Sequence, residues 1–151
     1  MESSWTWGLP LIALTITVHA TGITILGFGS LRIRHRIERR HIRLHHLLMV
    51  YTAAIGAVGL LLTILHGIEA ALWAAAYWLL GALNSPGEAM FYSLDSLATR
   101  GASGLTLQPN WQMMGALEAT NGVLLFGIST AFVFTVMQAY WPLLTRHLRL
   151  P

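Results

Sequence analysis

Asn84-Ser85-Pro86-Gly87-Glu88-Ala89-Met90-Phe91-Tyr92-Ser93-Leu94-Asp95-Ser96-Leu97-Ala98-Thr99-Arg100-Gly101-Ala102-Ser103-Gly104 is the stretch on which the fold turns. Its first five residues spell a helix start. Ser85 can cap, Pro86 suits the first helical position, and Glu88 falls where a capping-box acid belongs. The helix this predicts, over residues 86–98, is about 12 residues long, whereas a bilayer core needs about 20. It stops at Arg100-Gly101-Ala102-Ser103-Gly104, small residues suited to irregular backbone. On both sides lie apolar runs that are too long, not too short. A short apolar helix and a glycine-bearing loop between two such runs read as re-entrant. Non-helical backbone at membrane depth is tolerated only where it is buried in protein or lines water. The segment therefore reads as a pore loop. One chain's loop cannot enclose a pore, so this reading also implies an oligomer.

Outward from that segment, three spans are predicted. The first covers residues 8–29, about the 20 residues that match the hydrocarbon thickness. The second, an outer helix over 47–81, is roughly 50 Å long at 1.5 Å per residue, so it must tilt or project. The third, an inner helix over 111–141, is also over-long. Composition agrees: 55% of the residues are hydrophobic and 10% charged, where a soluble domain has about a quarter charged. Met1-Glu2-Ser3-Ser4 has no basic n-region, and the apolar run after it is too long for a signal-peptide core. Residues 1–29 are therefore expected to be a retained N-terminal span. The chain has no cysteine, which excludes a disulfide framework and a thiolate metal site.

Arginine sets the orientation. Arg32, Arg34, Arg36, Arg39, Arg40 and Arg43 lie between spans one and two, and Arg146 and Arg149 lie in the tail at 142–151. The opposite side has only Arg100. The positive-inside rule puts the N-terminus outside and the C-terminus in the cytoplasm, in a multi-pass protein of the cell inner (plasma) membrane. The aromatic belts agree, with Trp5, Trp7, Trp73, Tyr77, Trp78 and Trp111 at one interface and Tyr51, Tyr140 and Trp141 at the other. Because the net charge of +3 comes from arginines beside the spans, it reads as topology and not as nucleic-acid binding. In the connector at 30–46, Ile33, Ile37, Leu44 and Leu48 recur at near-helical spacing among the basic residues. That suggests an interfacial helix on anionic lipid at Arg32–Arg43. The favoured reading of His35, His41, His45 and His46 is that they are solvated and not a pH sensor.

From Ser93 to Gly104 the sequence lines up without gaps on the end of the pore helix and the filter of the bacterial two-transmembrane, pore-loop potassium-channel family. It resembles that family over residues 47–141. The family's filter pattern T-T-x-G-Y-G-D falls on Ala98, Thr99, Arg100, Gly101, Ala102, Ser103 and Gly104, of which Thr99 and Gly101 match. Downstream, Gly115-Ala116-Leu117-Glu118-Ala119-Thr120-Asn121-Gly122 and Phe126-Gly127 look like the family's inner helix. The resemblance implies an all-α integral membrane protein and a homotetramer. It also implies a filter-like loop over 99–107 and a gating hinge at Gly122 or Gly127. The first span is an addition to the family plan. The family's tyrosine, second glycine and aspartate are all replaced. Backbone carbonyls from four chains make a potassium filter, and this loop lacks the residues that hold such a backbone in place.

Asp95 and Arg100 are five residues apart, and both face behind the filter in the family's geometry. They are expected to pair there, so that neither charge is buried alone. The alternatives are an arginine exposed at the mouth, or one facing the pore and repelling cations. His66 and Glu69 are one helical turn apart, as are Glu118 and Asn121. All four are expected to brace the pore loop. A metal site needs three or four converging ligands and each helix shows only two polar residues, so no metal and no cofactor is expected. His19 lies alone in mid-span. A membrane redox or metal protein built on His19, His66 and Glu69 is a third reading.

The functional expectation is an ion-channel-like oligomer, not an enzyme, with a filter that does not select potassium. Its pore would be weakly selective, non-cation conducting, or occluded. The alternative is a non-conducting regulatory or assembly subunit. The first span has no arginine repeat and so no visible voltage sensor. The permeant ion is not encoded in any motif.

Overall fold

A computed structural model describes residues 2–39, 43–101 and 104–148, with the side chains of residue 2 and residues 146–148 excepted. Helices are the only regular secondary structure among the described residues. They are α1 (Glu2–Glu38), α2 (Leu44–Leu79), α3 (Pro86–Leu97) and α4 (Gln112–Leu148), the last preceded by one 3₁₀ turn at Pro109–Trp111. Three of these, Ser3–Glu38, Leu44–Leu79 and Pro109–Thr145, contain segments long and apolar enough to cross a membrane. At 1.5 Å per residue α2 extends roughly 54 Å, and α3 only about 18 Å.

The helices overrun the predicted spans. α1 continues past residue 29 through Arg32, Arg34 and Arg36 to Glu38. The connector is thus no separate interfacial helix over 30–46, although Arg40, His41 and Ile42 lie outside the described residues. α4 likewise continues past residue 141 into the expected tail. The physical reason is that apolar patterning marks the hydrocarbon core, while a helix needs only its backbone bonds and can project beyond it. Arg32, Arg36, Arg39 and Arg43 are all exposed.

The chain divides into two compact units, Met1–Ala20 with Ile64–Gly127, and Thr21–Thr63 with Ile128–Pro151. In the first, α1 and α4 run in the same direction. The Ser4 hydroxyl donates to the Asn110 carbonyl at 2.7 Å, and the Asn121 amide donates to the Thr15 hydroxyl at 2.8 Å. α2 runs against both, with Tyr77 meeting Glu118 and His66 stacked on Phe126 at 4.3 Å between ring centroids. The apolar core of this unit joins Trp73, Ala74 and Tyr77 of α2 to Ala89 of α3, Leu107 of the loop and Met114 of α4. In the second unit the Tyr140 hydroxyl donates to the Ser30 carbonyl at 3.1 Å, and Gly27 faces the Phe132 ring.

Candidate functional site

α3 is fixed by local chemistry at both ends. At its start the Ser85 side chain accepts from the Glu88 N–H at 3.2 Å, and Pro86 opens the helix. At its end the Thr99 N–H donates to the Ser96 carbonyl at 2.8 Å and the Arg100 N–H to the Asp95 carbonyl at 3.0 Å. That pair of bonds is a Schellman cap, which requires a left-handed residue at Thr99. α2 ends with the same cap. There Gly81 takes the left-handed place with φ +68°, and the Ala82 N–H reaches the Tyr77 carbonyl. α3 has a β-branched threonine instead, at φ +58°. Such a residue costs about 1–2 kcal/mol in this region. Thr99→Gly is therefore expected to stabilise the protein by about 1 kcal/mol. A thermal shift in detergent checks this; a fall in melting temperature would show that the threonine side chain contributes more than its backbone costs.

Buried polar contacts hold α3 between α2 and α4. The Ser93 hydroxyl donates to the Ala70 carbonyl of α2 at 2.8 Å and also hydrogen-bonds with Glu118 Oε1 of α4. The Tyr77 hydroxyl of α2 donates to Glu118 Oε2 at 2.7 Å. The Ser96 hydroxyl donates to the Gly115 carbonyl at 3.0 Å. Among the described residues Glu118 is thus the one acid through which three helices meet. The close approach of α3 to α4 is set by glycine. A Cβ at Gly122 would run into the Leu97 backbone, and one at Gly115 into the Tyr92 hydroxyl. Gly122, a hinge candidate by resemblance, therefore has a packing reason of its own, whereas Gly127 has nothing within 4 Å of a Cβ.

The loop after α3 carries positive φ at Gly101 and Gly104 as well as at Thr99. Ala102 and Ser103, the two filter-like positions between the glycines, lie outside the described residues. A cleft of about 360 Å³ opens beside the loop, lined by Asp95, Ser96, Thr99 and Gly101 with Gly115 and Ala119 of α4. Asp95 pairs with Arg100, Oδ1 to Nε at 3.3 Å. The pairing is lopsided in the single chain: the Asp95 side chain is 3% exposed and the Arg100 side chain 70%. The arginine's long stem carries its guanidinium outward. A pair buried at both ends loses about 3–5 kcal/mol when broken, but solvent screening here cuts that to about 1 kcal/mol or less. A double-mutant cycle with Asp95→Leu and Arg100→Met should return a coupling of about 0.5–1 kcal/mol. Additive effects would remove the pair.

The other predicted braces face elsewhere. Asn121 bonds to Thr15 of α1, not to α3. His66 and Glu69 also meet α1, at His19. Glu69 Oε1 lies 2.8 Å from His19 Nδ1, and Oε2 lies 3.0 Å from His66 Nδ1. His19 and Glu69 are fully buried, and the two imidazole centroids are 5.2 Å apart. In the sequence His19 lies alone in mid-span, and its grouping with His66 and Glu69 is one reading among several. Its ionisable side chain in mid-span was the available signal, but its partner is 50 residues away in sequence. No protein-family model, curated protein or solved structure matches this chain.

Proposed function

We propose that the chain is the subunit of a membrane-spanning homotetramer in which α3 and the loop after it form a re-entrant pore loop that does not select potassium. One observation carries this reading. A helix of about 18 Å, too short to cross a bilayer, is capped at both ends and tied by Ser93, Glu118 and Tyr77 to the long helices on either side. The loop it delivers has left-handed backbone at three positions, and such backbone at membrane depth needs a water-lined or protein-enclosed place. The resemblance of residues 47–141 to pore-loop potassium channels supports the same arrangement. The parallel course of α1 and α4, with α2 opposed, suits first, second and third crossings. The arginine distribution favours an external N-terminus and a cytoplasmic C-terminus.

The replaced filter residues argue against a queue of dehydrated potassium ions. The exposed Arg100 guanidinium beside the loop adds positive charge where a cation would enter. The test is flux of potassium, sodium and chloride, each measured separately in liposomes containing the purified protein. The expected result is no preference for potassium over sodium, with cation flux rising in Arg100→Met. A strong potassium preference would overturn the reading. Silence toward all three ions from an intact oligomer would leave the non-conducting assembly subunit in its place.

A further inference from the structure

We propose that His19, His66 and Glu69 form a binding site for a divalent transition-metal ion, with zinc the best match to the donor set. Three ligand atoms, one from each residue, lie within 4.8 Å of one another, and the cluster is closed off from solvent apart from the edge of His66. His66 and Glu69 come from one turn of α2 and His19 from α1, so an ion here would link two helices. The site uses no residue of α3 or of the loop, and it stands whether or not the chain conducts.

The chemistry favours a metal over a plain brace. Among the described residues both ion-pair partners of Glu69 are histidines, so the buried cluster is built of metal-ligating groups throughout. Two imidazole nitrogens and a carboxylate oxygen suit zinc, copper, iron or nickel. They do not suit calcium or magnesium, which take shells of oxygen ligands. Size fits too. With zinc bonds of about 2.0–2.1 Å, tetrahedral ligand atoms stand about 3.3 Å apart. The present contacts of 2.8 and 3.0 Å, made to the two oxygens of Glu69, open slightly to reach that spacing, and ligand atoms standing up to 4.8 Å apart close toward it. Three protein ligands leave a fourth position for water or another donor.

The test uses the full chain without a histidine tag, purified in detergent, stripped with EDTA and titrated with zinc alone. Bound zinc is counted by elemental mass spectrometry, and cobalt is substituted to read ligand-field bands. One ion per chain, a zinc-dependent rise in melting temperature and tetrahedral-type cobalt bands are expected. His66→Gln, the mildest change because this side chain reaches the surface of the cluster, should weaken zinc binding at least tenfold to hundredfold. That is the loss seen on removing even an outer-shell partner. Glu69→Gln should do the same. If either variant fails to fold, the zinc count and cobalt spectrum of the unaltered chain still decide. His45 and His46, whose rings lie 4.1 Å apart on the exposed side of α2, are the competing source of zinc affinity. Changing both to glutamine should leave the count unchanged. The proposal is overturned by a substoichiometric count in the unaltered chain. It is equally overturned by full binding in His66→Gln, or by loss of binding on removal of His45 and His46.

Discussion

Glu118→Ala should lower the stability of the purified protein by about 2–4 kcal/mol, while Glu118→Gln should stay within about 1 kcal/mol of the parent. Interhelical hydrogen bonds in membrane proteins average only about 0.6 kcal/mol, so the two lost contacts account for little more than 1 kcal/mol. The rest comes from the cavity and from the Tyr77 hydroxyl left without its partner in a fully buried place, while Ser93 keeps its bond to the Ala70 carbonyl. The tolerance of glutamine follows from counting protons. The Ser93 hydroxyl has one, which reaches either the Ala70 carbonyl or Glu118 Oε1. Directed at the carbonyl, it leaves the second bond to take its proton from the acid, while Oε2 accepts from Tyr77. A neutral carboxylic acid donates once and accepts once, and a glutamine amide can do both in the same shape. Thermal or denaturant unfolding in detergent checks the pair of variants. If glutamine proves as damaging as alanine, Glu118 is ionised and accepts from both hydroxyls.

The second large effect is expected at Gly122. Gly122→Ala should cost about 3 kcal/mol, the upper end of ordinary overpacking, and Gly127→Ala should be neutral or slightly stabilising. A Cβ at Gly122 would sit 2.9 Å from the Leu97 carbonyl carbon and Cα and nearer still to its oxygen. The obstacle is backbone, which cannot rotate away as a side chain can, so the end of α3 must shift. Alanine's better helix propensity returns only about 1 kcal/mol. Gly8 makes the comparison. Its Cβ would come 2.6 Å from the tip of the Leu117 side chain, which can turn aside. Melting temperatures for the three alanine variants should rank Gly122 far below Gly8 and Gly127. Equal values would mean that α3 is not seated against α4 at this point.

What could be read in the sequence was local. Ser85, Pro86 and Glu88 marked the start of α3, and its observed end at Leu97 falls one residue short of the predicted one. Caps are decided by neighbours in the chain, so they are legible there. The three apolar runs were legible for the same reason, since each residue contributes independently to partition into lipid. The ends of α1 and α4 were not, because hydropathy stops where charge begins and helix does not. Partner choice was the least legible. Asn121 and Glu118 share one face of α4 at i, i+3 spacing, yet one reaches α1 and the other α2 and α3. Which neighbour a side chain meets depends on how each helix is rotated against the others. That rotation is set by packing of small residues such as Gly115 and Gly122, and not by the pattern of any one helix. The meeting of His19 with Glu69 is the same problem at greater separation.

A pore loop needs other copies of the chain to close a pore, so the number of chains in the particle bears most directly on the proposed arrangement. The protein should be extracted gently, kept in lipid nanodiscs and weighed intact by native mass spectrometry. Four chains per particle is the expected result. Particles that remain monomers or dimers across lipid compositions would contradict it, because α3 and its loop would then have no pore to line.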